Sequence, residues 1–304
     1  MLKIENIKLP PGADANQLTA EAARILRCPA KELHSLRILR RSVDAREEVS
    51  LVYTVEVSAA DEGSLLRRCR SKKVSRSQPK ASYQLPAPLP SPDIPPVVVG
   101  AGPAGLFAAL VLAHAGLRPI LLERGRRVED RAADVERFWQ TGVLDPASNV
   151  QFGEGGAGAF SDGKLNTGTR DIRHRFILEQ LVSCGAPQDI LIDAKPHVGT
   201  DYLHVVLRRL RQELTALGAD IRFESHLTDL EIRGGTLAGI TVEGPSGTYS
   251  LPCRQLVLCP GHSARDTFEM LFARGIVMEA KPFAVGIRIE HRQADCDAAQ
   301  YKHY

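Results

Sequence analysis

The spacing of apolar residues changes character several times along this chain of 304 residues. Val49, Leu51, Tyr53, Val55 and Val57 fall on strictly alternate positions, which predicts a half-buried strand. Leu18, Ala22, Ile25 and Leu26 recur at helical spacing, residues 2–9 read as a strand, and residues 61–70 read as a closing helix. Together they predict a small α+β module of order β-α-β-β-α. Beyond residue 97 the pattern differs. A β-branched run at 97–99 precedes an alanine-rich helix at 104–115 and a second strand at 118–123. Helices follow near 172–183 and 201–217, then short strands between 220 and 259, the last ending in Pro260-Gly261. Strands alternating with helices, opened by strand, glycine turn and helix, predict an α/β, Rossmann-like, doubly wound domain.

Charge and proline place the boundary between the two. Residues 1–96 hold 16 Lys+Arg against 11 Asp+Glu, and the remainder 23 against 25. The excess is concentrated in Arg67, Arg68, Arg70, Lys72, Lys73, Arg76 and Lys80. Pro86, Pro88, Pro90, Pro92, Pro95 and Pro96 follow, a density that disfavours helix and sheet and reads as an extended linker. The expected division is a basic α+β domain at 1–78, a linker at 79–96, a nucleotide-binding domain at 97–280 and the start of another domain at 281–304.

Several function classes drop out. No apolar run approaches the roughly 18 residues that span a bilayer, and the first residues lack the apolar core of a secretory signal. The six cysteines are scattered, with no metal-ligand spacing and no C-x-x-C pair, as in a cytoplasmic protein with reduced thiols. No metal site is expected.

The most informative segment is Val97-Val-Val-Gly100-Ala-Gly102-Pro103-Ala104-Gly105. Gly100 permits a tight turn, Gly102 lets the backbone approach a pyrophosphate, and Gly105 allows helix to pack on strand. Pro103 suits a first helical turn, whose free N–H groups favour a diphosphate. Glu123, 23 residues after Gly100, is placed to accept from ribose hydroxyls and to repel a 2′-phosphate, although the neighbouring Arg124 could accommodate one. A dinucleotide is expected here.

A second glycine-rich stretch runs from Phe152 to Gly168 and includes Gly155, Gly156, Ser161, Asp162, Lys164 and Asn166. It resembles, with 196–201 and 261–267, a group of bacterial FAD-dependent dehydrogenases that carry a small N-terminal α+β domain. The fingerprint itself is similar to the ADP-binding turn of glutathione-reductase-type flavoproteins. The resemblance implies non-covalent FAD, with Gly100–Gly105 at the pyrophosphate, Glu123 at the ribose and Leu227 near adenine. It also implies that residues 155–164 lie near the flavin and that Gly261 ends a strand beneath the cofactor. Members of this group extend further into a substrate domain, so the resemblance implies a shortened chain.

If the flavin carries the chemistry, the expected reaction is hydride transfer with an unknown small-molecule substrate. Lys164 and His262 are the candidates for catalysis. Lys164 reads equally as a solvated lysine, while Ser263 or Asp266 reads as a helix cap and Thr200 or Asp201 as another. Two alternatives remain: a non-catalytic FAD-binding fragment, and an RNA-associated flavoprotein using the basic residues 67–80. Tyr83 is the one aromatic near that run, and the shortage of stacking side chains argues against nucleic acid.

Overall fold

The computed structural model describes residues 1–79, 81–160, 163–165, 171–287 and 289–301. They divide into two compact units, the first formed by 1–81, 188–196 and 282–304, the second by 82–187 and 197–281.

In the first unit, β1 (Leu2–Leu9), α1 (Ala15–Leu26), β2 (Leu33–Asp44), β3 (Ser50–Ala59), α2 (Glu62–Cys69) and β4 (Val74–Arg76) follow in order. Asp14 and Gln17 form a reciprocal capping box that starts α1. The antiparallel sheet has the order β2-β3-β1-β4, the split β-α-β-β-α-β arrangement. Leu2, Ile4, Val55 and Val57 meet Leu18, Ala22, Leu26 and Leu65 from the helices in one core. The strand positions that alternate with them are polar, and Arg37 pairs with Glu56 there at 2.6 Å.

The sixth element is a correction. The 61–70 helix was expected to close the module. Instead Val74 is buried and registers with Ile4, so β4 completes the sheet, while the basic side chains from Arg67 to Arg76 stay exposed. Tyr83 belongs to the second unit, where its ring packs 5.2 Å from that of Phe176.

Residues 188–196 belong to the first unit. Ala194 donates to the carbonyl of Arg41 at 2.8 Å, and Arg41 N–H donates to the carbonyl of Ile192 at 2.7 Å. The Arg41 guanidinium also pairs with Asp193 and Asp189 at 2.8 Å each.

The second unit opens with β5 (Val97–Val99), α3 (Pro103–His114), β6 (Ile120–Leu122) and α4 (Val128–Thr141). Then come α5 (Arg173–Ser183), α6 (Thr200–Ala216), β7 (Asp220–Arg222), β8 (His226–Arg233), β9 (Thr236–Gly244), β10 (Gly247–Pro252), β11 (Leu256–Leu258) and α7 (Arg265–Ala273). Strands β11-β5-β6-β7 form a parallel sheet, whose central strands, β5 and β6, are buried throughout. Such strands read as short continuous apolar runs because both faces are covered. The antiparallel sheet β10-β9-β8 contributes Leu227, Leu230, Ile240 and Val242 to a core with Val97, Val99, Ile120 and Leu122. Chain order reverses at β5, between β6 and β11, and the carboxyl ends of strands at such a point are where α/β sheets bind ligands. Among the described residues no helix is long and apolar enough to cross a membrane.

Candidate functional site

The site grows from the turn after β5. Gly100 has φ +98°, and a Cβ there would lie 2.2 Å from the carbonyl oxygen of Cys259. At Gly105 it would lie 1.7 Å from the carbonyl oxygen of Gly100. Both glycines are therefore required by packing alone. Gly102 differs: its φ is −72° and its nearest neighbour to an added Cβ is Gly156 Cα at 3.8 Å. Gly102 is the N-cap of α3 and Pro103 opens the helix, with no side chain capping the terminus. The first-turn N–H groups and the dipole behind them are directed at the cleft.

Glu123 follows β6 and is buried. Its Oε2 accepts from Ala101 N–H at 2.7 Å, and its Oε1 accepts from Gly125 at 2.8 Å and Gly153 at 3.0 Å. A carboxylate has about four acceptor directions, so one remains for a ligand hydroxyl. The expected ribose contact thus shares its carboxylate with three backbone amides.

Residues 149–156 form the next wall. Gly155 N–H donates to the Ala101 carbonyl at 2.8 Å, tying this loop to the phosphate turn. Arg131 of α4 holds the loop from behind. Its fully buried guanidinium donates to the carbonyls of Asn149 (2.8 Å), Val150 (3.0 Å), Gly153 (3.3 Å) and Glu154 (2.6 Å). It also lies 4.7 Å from the centre of the Phe160 ring, which meets the His204 ring at 5.1 Å and a tilt of 56°. Burial lowers the Arg131 pKa to about 10, with Glu123 and Glu154 opposing the shift, so it stays charged at neutral pH. Neither α4 nor Arg131 was predicted. The buried face of α4 consists of Val128, Arg131, Asp134 and Val135, and its two charged members interrupt the apolar period.

At the opposite wall Arg124 donates to Asp266 Oδ2 at 2.7 Å, contacts His226 Nε2, and lies 4.5 Å above the Phe152 ring. Burial lowers the His226 pKa and Arg124 lowers it further. Burial raises that of Asp266, but the hydrogen bonds from Arg124 and Thr267 together with the charges of Arg124 and His226 outweigh it, and the carboxyl lies below its ordinary range.

The cleft so enclosed has a volume of about 270 Å³. Gly100, Gly102, Pro103, Ala104, Glu123, Arg124, Gly156, Leu227, Gly261 and His262 all line it, as do Ser225 and, unpredicted as site residues, Gln151, Phe152 and Thr267. Gly155 packs behind the wall, where a Cβ would meet Leu207 Cδ1 at 2.4 Å. Lys164 lies in an isolated bridge with His197. Ser161 falls outside the described residues, as do Asp162 and Asn166. Two caps are corrected. Gly199, at φ +82°, stands at the N-cap of α6 in place of Thr200 or Asp201, and Ala264 stands at that of α7. Positive φ suits glycine, and Asp266 is engaged by Arg124. Among the described residues no cluster of three or more His, Cys, Asp or Glu could hold a metal.

A narrow turn, an uncapped helix start and a buried acceptor beside them fit a dinucleotide of the FAD type. Residues 93–272 match the family model described as FAD binding domain. The chain belongs to this FAD-binding family. FAD is accordingly its cofactor, and the cleft at the carboxyl ends of β5 and β6 has the features to receive it. Residues 1–59 match a second model, Domain of unknown function (DUF8436). An uncharacterized protein of Clostridium beijerinckii is 42% identical over 302 residues, 99% of this chain and 56% of that protein. The chain thus spans little more than half of that relative's length. Among solved structures, Thermovibrio ammonificans THI4 matches with 17% identity, 60% of this chain, 64% of that one and a TM-score of 0.40. OxyS anhydrotetracycline hydroxylase from Streptomyces rimosus matches with 24% identity, 59% of this chain, 33% of that one and a TM-score of 0.34.

Proposed function

We propose that this FAD-binding chain is part of an FAD-dependent oxidoreductase of the glutathione-reductase type, acting on a small molecule not yet identified. The observation that carries the reading is the start of α3, uncapped and facing a cleft beside a buried carboxylate.

FAD, when bound, supplies hydride transfer at its flavin ring. The chain's own residues position it. The N–H groups of the 102–105 turn hold the pyrophosphate, where Gly102 leaves room for the backbone to approach. The remaining acceptor direction of Glu123 takes a ribose hydroxyl, and its charge disfavours a 2′-phosphate. Leu227 offers an apolar surface to the adenine. Gly261 and His262, just past β11, border the cleft where the chain returns beneath it. Lys164 is the proposed cation beside the flavin, where it would stabilise negative charge.

The test is direct. The purified chain should show a flavin absorption spectrum, alone or after addition of FAD, and heat should release FAD rather than NAD. A colourless protein that takes up no flavin would end this reading.

A further inference from the structure

Arg124 is the only lysine or arginine among the described residues that line the FAD cleft. It directly follows Glu123, the acceptor proposed for the ribose, and an arginine beside that acidic position is the group that takes a 2′-phosphate in cofactor sites that accept one. Here the guanidinium is engaged elsewhere. The Arg124 side chain is 14% exposed. It lies 4.5 Å from the centre of the Phe152 ring, meets His226 Nε2 and donates to Asp266 Oδ2 at 2.7 Å.

Asp266 is held in place for that contact. It lies in the first turn of α7, and its Oδ1 accepts from Thr267 N–H at 2.8 Å, which fixes the carboxylate and leaves Oδ2 to Arg124. Thr267 is buried and lines the cleft, whereas the Asp266 side chain is 53% exposed. His226 adds no charge: its Nε2 meets a guanidinium N–H, and burial and Arg124 both disfavour its protonated form.

On the cleft side Arg124 and Asp266 cancel. Glu123 therefore faces a ligand with no lining cation to offset it, while Arg131 acts on it from behind residues 149–156. A phosphate on the ribose would meet a carboxylate and a guanidinium already matched by another carboxylate. Removing the Asp266 charge reverses this, because guanidinium donors freed beside Glu123 suit phosphate oxygens. Selectivity obtained by withholding a partner from the wrong ligand is rejection rather than tighter binding of the right one.

We propose that Asp266 is a specificity-determining residue of this cleft: by engaging Arg124 it withholds that cation from a 2′-phosphate, so that dinucleotides with a free ribose 2′-hydroxyl are taken and 2′-phosphorylated ones are refused. The proposal rests on the FAD reading of the cleft.

The test uses ADP-ribose and 2′-phospho-ADP-ribose, which differ in that phosphate alone. Each is titrated into protein loaded with FAD, and displaced flavin is followed by fluorescence for wild type, Asp266→Asn and the double variant Arg124→Gln/Asp266→Asn. Wild type should favour ADP-ribose. Asp266→Asn should shift the ratio toward the 2′-phosphate about tenfold, the worth of one hydrogen bond to a charged group. The double variant should lose that gain. Each ratio is taken within one protein, so a general loss of affinity cancels. A wild-type ratio in Asp266→Asn overturns the proposal, and so does a gain that survives removal of Arg124. Bound FAD that neither nucleotide displaces overturns it as well, since the cleft then does not read the adenosine ribose. If wild type takes up no FAD, the FAD reading itself fails and the specificity falls with it.

Discussion

Glu123 Oε1 accepts the backbone N–H of Gly153 at 3.0 Å, joining the end of β6 to a glycine loop 30 residues further along the chain. One carboxylate therefore organises the phosphate turn, through Ala101, and the 149–156 wall, through Gly153. Glu123→Ala leaves three amides without their acceptor. At roughly 1 kcal/mol or more for each buried group left unsatisfied, the loss should reach about 3 kcal/mol. Urea unfolding should show it, together with loss of FAD uptake. Full stability in this variant would mean that the three amides find other acceptors.

The three glycines of the turn separate packing from binding. Gly102→Ala meets ordinary contact at 3.8 Å and a permitted φ, so the fold should hold while FAD affinity falls. Gly102→Val should abolish uptake. Gly105→Ala, by contrast, drives a Cβ to 1.7 Å from a backbone oxygen and should cost about 3 kcal/mol of stability. Melting curves with and without FAD distinguish the two outcomes.

Arg131→Met should be among the most damaging single changes in the second unit. It removes a donor from four carbonyls, of which Gly153 keeps another in Gly156 N–H, and it removes a buried cation that interacts with Glu123. Breaking a buried charge network of this kind costs about 3–5 kcal/mol. Proteolysis should then cut within residues 149–156 of the folded variant or find the unit unfolded; protection equal to wild type would contradict the role given to Arg131.

His226 should titrate below the ordinary histidine range, because burial and then Arg124 disfavour its charged form. The stabilisation it provides is full above that range and is lost as pH falls through it. Arg124→Gln should move the NMR titration midpoint upward, and Asp266→Asn should move it down. An unmoved midpoint in both would detach the histidine from this pair.

The legible parts of the site were local. Gly100, Gly102 and Gly105 announce themselves because each backbone position has its own steric demand at fixed spacing, and the valines of β5 identify the strand before them. The α+β unit was read one strand short, since Val74 is a single buried residue inside a basic run. Arg131 and Glu154 left no local mark. Their partners lie 18 to 57 residues away, and both appear in sequence as ordinary charged residues. Gly199 was passed over for the polar residues beside it because positive φ is not visible in composition.

The two edges of the first unit's sheet bear on how this unit behaves on its own. A sheet edge with free amides invites another chain to add a strand. Here β4 is three residues long, ends in Arg76 and follows Lys72 and Lys73. On the β2 side, residues 192–194 already take the backbone of Arg41, and Asp193 pins its side chain. One margin is short and positively charged, and the other is partly occupied. Short length, positive charge and prior occupancy are the features by which a sheet edge resists strand-to-strand pairing.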